Sequence, residues 1–491
     1  MASLNQYRYR QGPAASLGEF RAFTLSDVLT KQDLIDDLAS GCKPVEQFRI
    51  GTEHEQFVFL PNDQRASYSG TQSIEAILTA MQDFGWQPVF ENGKVIALKS
   101  STTEATISLE PGGQFELSGA PLKTLHDTHF ELTTHQQQLA IIAKQLDIRF
   151  QAVGFDPYNR REDIPWMPKA RYEIMKRYMP TKGKLGLDMM TRTCTVQVNL
   201  DYESEVDMVT KMRLSMALQP FVTALFANSS WVEGKQTEYQ SYRAQIWQDT
   251  DPDRCGLLPF VFEKSMGFEC YVDYMLKVPM YFVKRDGHYT LPLSRIGIEK
   301  FRKLRSSSSN LRSGARSLFS APILETVWVY INAAGQSFHD FMKGQLPALP
   351  GEYPILSDWH DHLTVAFPEV RLKHYLEMRG ADSGPTEFLI GLPALWVGLL
   401  YDSDSLKALT ALTANWKYEE LKTLYSQVPK QGMTAQFKGL TLKEWLKRIV
   451  QISRQGLENR KCLNSKGQSE AIYLEPLIEL KGLSSSVINS A

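Results

Sequence analysis

The chain has 491 residues, 43% hydrophobic and 22% charged, with a net charge of −1 at pH 7. That length allows two lobes or one elaborate domain, and the composition is that of a soluble, enzyme-sized protein. Near-neutral charge excludes a global attraction to nucleic acid or to an anionic membrane, so neither is an expected partner.

The first residues, Met1-Ala-Ser-Leu-Asn-Gln-Tyr-Arg8, lack the apolar core of a secretory signal and leave little room for a transit peptide. A cytoplasmic protein is the resulting expectation. Helical spacing runs over 25–38, then strand-like segments at 48–60, 95–99, 104–110 and 114–118, with a helix over 72–84. A long helix is expected over 122–146 and a strand over 148–154. A basic segment, 160–180, follows. The strand-like run 191–201 leads into an apolar helix over 205–229, and strands return over 362–379. Beyond about 380 helical patterns dominate; the apolar run 388–401 is too short to span a bilayer and reads as a buried helix. Strands that cluster without regular strand–helix alternation predict an α+β fold on a mostly antiparallel sheet. The stretch 287–331, with the basic run Arg302 to Ser317, is poor in apolar residues and reads as a mobile insertion, a surface insertion fitting better than a basic lid. Five scattered cysteines without CxxC spacing fit a reduced protein without structural zinc.

Three strand segments carry acidic side chains: Arg49-Ile-Gly-Thr-Glu-His-Glu-Gln-Phe-Val-Phe59, Glu110-Pro-Gly-Gly-Gln-Phe-Glu-Leu-Ser118 and Tyr375-Leu-Glu-Met-Arg379. Strand side chains alternate faces, so Glu53 and Glu55 project together, roughly 7 Å apart along the backbone. Pro111-Gly112-Gly113 signals a turn; pairing 110 with 114 and 108 with 116 puts Glu110, Gln114 and Glu116 on one face. Clustered carboxylates repel unless a cation lies among them, and such oxygen-rich sets suit Mg²⁺ with substrate phosphates. A glutamate pair on a strand is by itself more often a solvated face. Here Phe57 and Phe59 continue the same face, which therefore leads into apolar material. Thr193, Thr195, Gln197 and Asn199 form a second polar row, compatible with an exposed sheet face or with a cleft wall. Arg171 and Arg243 each sit beside an aromatic residue, where a guanidinium can stack and grip a carboxylate. No P-loop, GxGxxG turn, HExxH or GxSxG is present, and His54 reads as a packing residue.

Several motifs, in this order, carry a resemblance to a known family: Phe48-Arg-Ile-Gly-Thr-Glu-His-Glu-Gln-Phe57, Leu109-Glu-Pro-Gly-Gly-Gln-Phe-Glu-Leu-Ser-Gly119, Arg161-Glu-Asp-Ile-Pro165, the stretch 185–200, Ala217-Leu-Gln-Pro220 and the stretch 367–382. Over roughly 20–285 and 330–465 the chain resembles glutamate–cysteine ligases of the plant and proteobacterial type, which catalyse the first step of glutathione synthesis. The resemblance implies a curved, mostly antiparallel sheet forming a funnel, like that of glutamine synthetase, with helices packed around it. One catalytic domain spans 1–491, sheet-rich over 20–285 and 330–380 and helical over 381–491. The implied reaction starts with ATP phosphorylating the γ-carboxylate of glutamate, after which the cysteine amine attacks the γ-glutamyl phosphate. By motif position the resemblance gives metal roles to Glu53, Glu55, Glu110, Glu116 and Glu377, with Gln197 beside them, for Mg²⁺. Glu53, Glu55 and Arg379 carry the catalytic assignment. Arg171 and Arg243 are expected to grip substrate carboxylates, Met190, Thr191 and Trp247 to shape the amino-acid pocket, and Lys184, Asn199 and Arg379 to meet ATP. Positions of regulatory cysteines in plant members read Ala333, Ala348 and Ile390 here, which implies no thiol-controlled dimer switch and a monomer or weak homodimer. The competing readings are a glutamate ligase acting on a different amine and an inactive metabolite-binding relative.

Overall fold

The structure, a computed structural model, describes residues 28–286 and 328–483. The start of the expected helix over 25–38, the N-terminal residues read for a leader, residues 287–327 of the expected insertion and the last eight residues lie outside the described residues.

Nine strands form one sheet: β1 (Ile50–Phe59), β2 (Trp86–Glu91), β3 (Lys94–Ser100), β4 (Thr106–Leu109), β5 (Phe115–Ser118), β6 (Arg149–Gln151), β7 (Thr195–Leu200), β8 (Val370–Leu372) and β9 (Leu376–Asp382). Their spatial order is β8-β9-β7-β1-β5-β4-β3-β2, with β6 on the end of β1, and every pairing is antiparallel. The antiparallel α+β expectation holds. Period-two alternation explains the two faces. Ile107, Leu117, Val196, Val198 and Met378 are buried on one of them, in apolar clusters, while the glutamates occupy the other. The helix Thr386–Leu400, apolar all round and with its interior buried, lies against β7 and the helix Leu125–Leu146. No described helix is long and apolar enough to cross a membrane.

Three departures from the sequence reading have local causes. β2 was not among the expected strands; Pro88 within it lacks a ladder donor and is tolerated because β2 is the edge of the sheet. Residues 191 and 192 close the helix Gly186–Arg192 instead of opening β7. Residues 328–331, the last four of the expected insertion, belong to the strand Trp328–Asn332, paired antiparallel with Phe282–Asp286.

Candidate active site

Cross-strand register assembles the site. β1 pairs with β5 so that Glu55 faces Glu116, and with β7 so that Glu53 faces Gln197. β4 puts Ser108 opposite Glu116, as the hairpin reading required, and the Glu110 amide donates to the Gln114 carbonyl to close the turn. Glycine is needed in that turn: a Cβ on Gly112 would stand 2.4 Å from the Thr191 carbonyl oxygen, and Gly113 has φ +78°. On the far side, β9 pairs Glu377 with Asn199 and then bulges between Met378 and Ala381. The extra residue turns Arg379 toward Gln197, whose Oε1 accepts from Nη1 at 2.5 Å.

The carboxylates fall into two electrostatic groups. Glu55, Glu110 and Glu116 border one cavity of about 100 Å³, together with Gln197, Arg171, Arg243, Trp247, Met190 and Arg379. Burial, then the charges of Glu110 and Glu116, pushes the Glu55 carboxyl well above the usual range, and burial with Glu110 raises Glu116. Among the described residues their direct partners are weak: the Thr195 amide at 2.9 Å for Glu55, and the hydroxyls of Ser118 (2.7 Å) and Ser108 (3.3 Å) for Glu116. The charges of Arg243 on Glu55 and of Lys169 on Glu116 act less strongly than the repulsion from Glu110, a deficit that a divalent ion would fill.

Glu377 is the opposite case. It is completely buried, yet Arg371 grips it with two nitrogens (Nη2–Oε1 2.7 Å, Nε–Oε2 3.2 Å), the Lys373 ammonium lies 2.8 Å away, and Arg379 closes the cluster. Burial would raise its carboxyl, but Arg371, Lys373 and Arg379 hold it well below the ordinary value. Three cations thus surround Glu377, the residue expected among the metal ligands, and compensate its charge in place. Glu53 lies between the groups. It accepts from the Gln197 amide at 2.9 Å and the Asn199 amide at 3.1 Å, and burial with the Glu377 charge raises it.

Arg243 and Trp247 are one turn apart on the helix Tyr242–Gln248. Arg243 Nη2 donates to the Arg379 carbonyl at 2.9 Å, while its Nε and the Trp247 Nε1 are buried without a partner. Unpaired buried donors at a cavity wall are available to a ligand carboxylate. The helix is anchored because Ser241, its N-cap, and Ser229 both donate to Asp382 at the end of β9. Arg171 and Met190 line the cavity. Thr191 does not: its hydroxyl turns back to the Leu187 carbonyl within its own helix, and its carbonyl accepts from buried Arg65. Lys184 is exposed and does not line this cavity; it sits on a turn where its amide donates to Asp249. Asn199 donates its Nδ2 to Glu53, while its Oδ1 is buried without a partner.

Sequence reasoning missed Arg371 and Lys373 as partners of Glu377; their alternation in Arg371-Leu-Lys373, one short turn before Glu377, was the available signal. It also missed Lys169, whose buried ammonium donates to the Leu109 carbonyl at 2.9 Å and is brought down to about 7 by burial and by Arg171. Lys169 borders a second, roomier chamber of about 320 Å³ that shares Arg171, Phe282 and Thr364 with the first and adds Lys99, Lys284, Trp328 and Tyr330.

The family model described as glutamate-cysteine ligase family 2 matches residues 49–482. The chain is similar to the chloroplastic glutamate–cysteine ligase of Arabidopsis thaliana, 47% identical over 95% of this chain and 80% of the relative. It is equally similar to that of Medicago truncatula, 47% identical over 95% and 82%, and to enzyme B of Oryza sativa subsp. japonica, 47% over 91% and 81%. Among solved structures, a Francisella tularensis glutamate–cysteine ligase in complex with AMP covers 90% of this chain and 82% of its own at 11% identity, with a TM-score of 0.45. The plant relatives are named chloroplastic, which overturns the cytoplasmic expectation.

Proposed function

The chain belongs to glutamate-cysteine ligase family 2, and from that premise we propose that it joins the γ-carboxylate of glutamate to the amine of cysteine, with ATP as co-substrate, as the first step of glutathione synthesis. The observation that supports this most is the pairing, in one cavity, of a crowded carboxylate set with an unpaired Arg243 Nε and an unpaired Trp247 indole N–H. A carboxylate is a poor electrophile because attack must expel an oxide. Phosphorylation turns that oxide into phosphate, but brings anion against anion. Glu55, Glu110 and Glu116, with Gln197, are the residues that would hold Mg²⁺. The ion supplies neutralisation of phosphate charge when bound. Arg243 and Trp247 bind and orient the glutamate carboxylate. Arg379, held by Gln197 and Glu377, is pre-aimed at the transferred phosphoryl oxygens. The roomier chamber, with three lysines and four aromatic rings, suits the nucleotide, and Arg171 stands at its junction with the first.

The test is phosphate release from ATP with glutamate and a panel of amines. Turnover that depends on glutamate and is fastest with cysteine is the expected result. Equal rates with cysteine and other amines would remove the cysteine assignment, and glutamate-independent hydrolysis would remove the ligase reading.

A further inference from the structure

Away from the cavity, three segments distant in sequence bring one carboxylate and two imidazoles together. Asp37 is on the helix Lys31–Ala39, His360 on the helix Leu356–Leu363 and His374 in the turn between β8 and β9. Both Nε2 atoms point at the same carboxylate oxygen, Asp37 Oδ1, at 2.9 Å from His360 and 3.2 Å from His374, and the three potential ligand atoms lie within 4.8 Å of one another. The other oxygen, Oδ2, accepts the Trp359 indole N–H at 3.1 Å, which fixes the carboxylate plane and leaves Oδ1 facing the imidazoles. Asp37 is buried and the two histidines are half-buried, so the group is reached from one side.

We propose that Asp37, His360 and His374 bind a late first-row transition metal ion of the Zn²⁺ class, at a site separate from the carboxylate cavity. Bonds of about 2.0–2.2 Å to nitrogen and oxygen give a tetrahedron with edges of about 3.4 Å. The observed separations of 2.9 and 3.2 Å need to open by only a few tenths of an ångström to match it. Two imidazoles select Zn²⁺, Co²⁺ or Cu²⁺ over Mg²⁺, which prefers oxygen ligands, so the two sites do not compete for one ion. The indole on Oδ2 is the kind of outer partner that orients a ligating carboxylate. Three protein ligands leave a fourth position for water. The site also reaches the active-site hairpin. His374 follows Lys373, whose ammonium lies 2.8 Å from Glu377, so an ion here ties the β8–β9 turn to two helices and steadies the cluster that holds Arg379.

The experiment uses the full-length protein freed of metal by chelation, with Mg²⁺ then in excess and Co²⁺ as the probe. One equivalent should bind and show visible d–d bands without the charge-transfer band of a thiolate, which separates this site from the free cysteines. Trp359→Phe should weaken binding by about 10–100-fold, and His374→Gln by at least as much. Binding of Co²⁺ should raise the unfolding temperature of the unmodified protein but not of His374→Gln. Should that variant fail to fold, pulsed electron paramagnetic resonance on the Cu²⁺-loaded unmodified protein counts coordinated imidazoles, and two are expected. Fewer than two imidazoles, a thiolate band, no stoichiometric binding, or unchanged affinity in His374→Gln overturns the proposal.

Discussion

Replacing Glu55 with glutamine should make the metal-free protein more stable while abolishing turnover. In the folded chain Glu55 sits directly across from Glu116, with burial and the Glu110 and Glu116 charges raising its carboxyl well above its ordinary value of 4.5. A carboxyl raised on folding binds more protons in the native state than in the unfolded one. Its destabilising effect is therefore absent below about pH 4.5 and grows as pH rises toward the folded value. Across the interval from 4.5 to 7, at about 1.4 kcal/mol per unit, the ceiling on that effect is about 3 kcal/mol at pH 7. A direct estimate agrees: two charges about 5 Å apart at an effective dielectric of about 20 repel by about 3 kcal/mol. The amide of the variant keeps an oxygen to accept from the Thr195 N–H, so little is lost in exchange. Unfolding temperatures measured in EDTA from pH 5 to 8 should fall with pH in the unmodified protein and fall less in Glu55→Gln. Excess Mg²⁺ should reverse the order by stabilising only the unmodified protein. A variant less stable than the parent in EDTA at pH 7 or above would refute the charge-deficit account.

Glu377→Gln should behave in the opposite way, leaving Arg371, Lys373 and Arg379 buried together without a counter-ion; a loss of about 3–5 kcal/mol in urea unfolding is expected, independent of Mg²⁺. A Mg²⁺-dependent effect as large as that of Glu55→Gln would return Glu377 to the metal set. Gly380→Ala would place a Cβ 2.3 Å from Gln219 Oε1 and 2.5 Å from Glu369 Oε2, so that these buried side chains or the β9 bulge must shift, at about 1–3 kcal/mol. Steady-state kinetics should show kcat falling through misplacement of Arg379, and normal kcat would argue against the bulge as its positioning device. Arg243→Lys replaces a planar fork by a point charge, so KM for glutamate should rise about tenfold or more, equivalent to about 1.4 kcal/mol, while KM for ATP stays within twofold. Equal changes in both would argue that Arg243 does not face the amino acid.

How much of this was legible beforehand differs from residue to residue. Alternation within one strand is a local property, so the shared face of Glu53 and Glu55, the 108/116 register of the hairpin and the antiparallel character of the sheet could be read directly. The ordered motifs were enough to indicate the family. The partition of the carboxylates was not legible, because it depends on which strand lies beside which. Residue 53 meets 197 and residue 377 meets Arg371 only after β7 enters between β1 and β9 and the chain turns back after Lys373. The one-residue bulge that swings Arg379 onto Gln197 leaves no mark in the local pattern, since it is a shift of register against β7, a strand from a distant part of the chain. Thr191 and Lys184 show the same limit: proximity in sequence to a site strand did not carry them into the cavity, because a helix end and a surface turn intervene. Composition and periodicity therefore determined the acidic strands and the class of sheet. Only tertiary pairing decided which acids are crowded together and which are neutralised in place, because charge compensation depends on which strands and turns fold against one another.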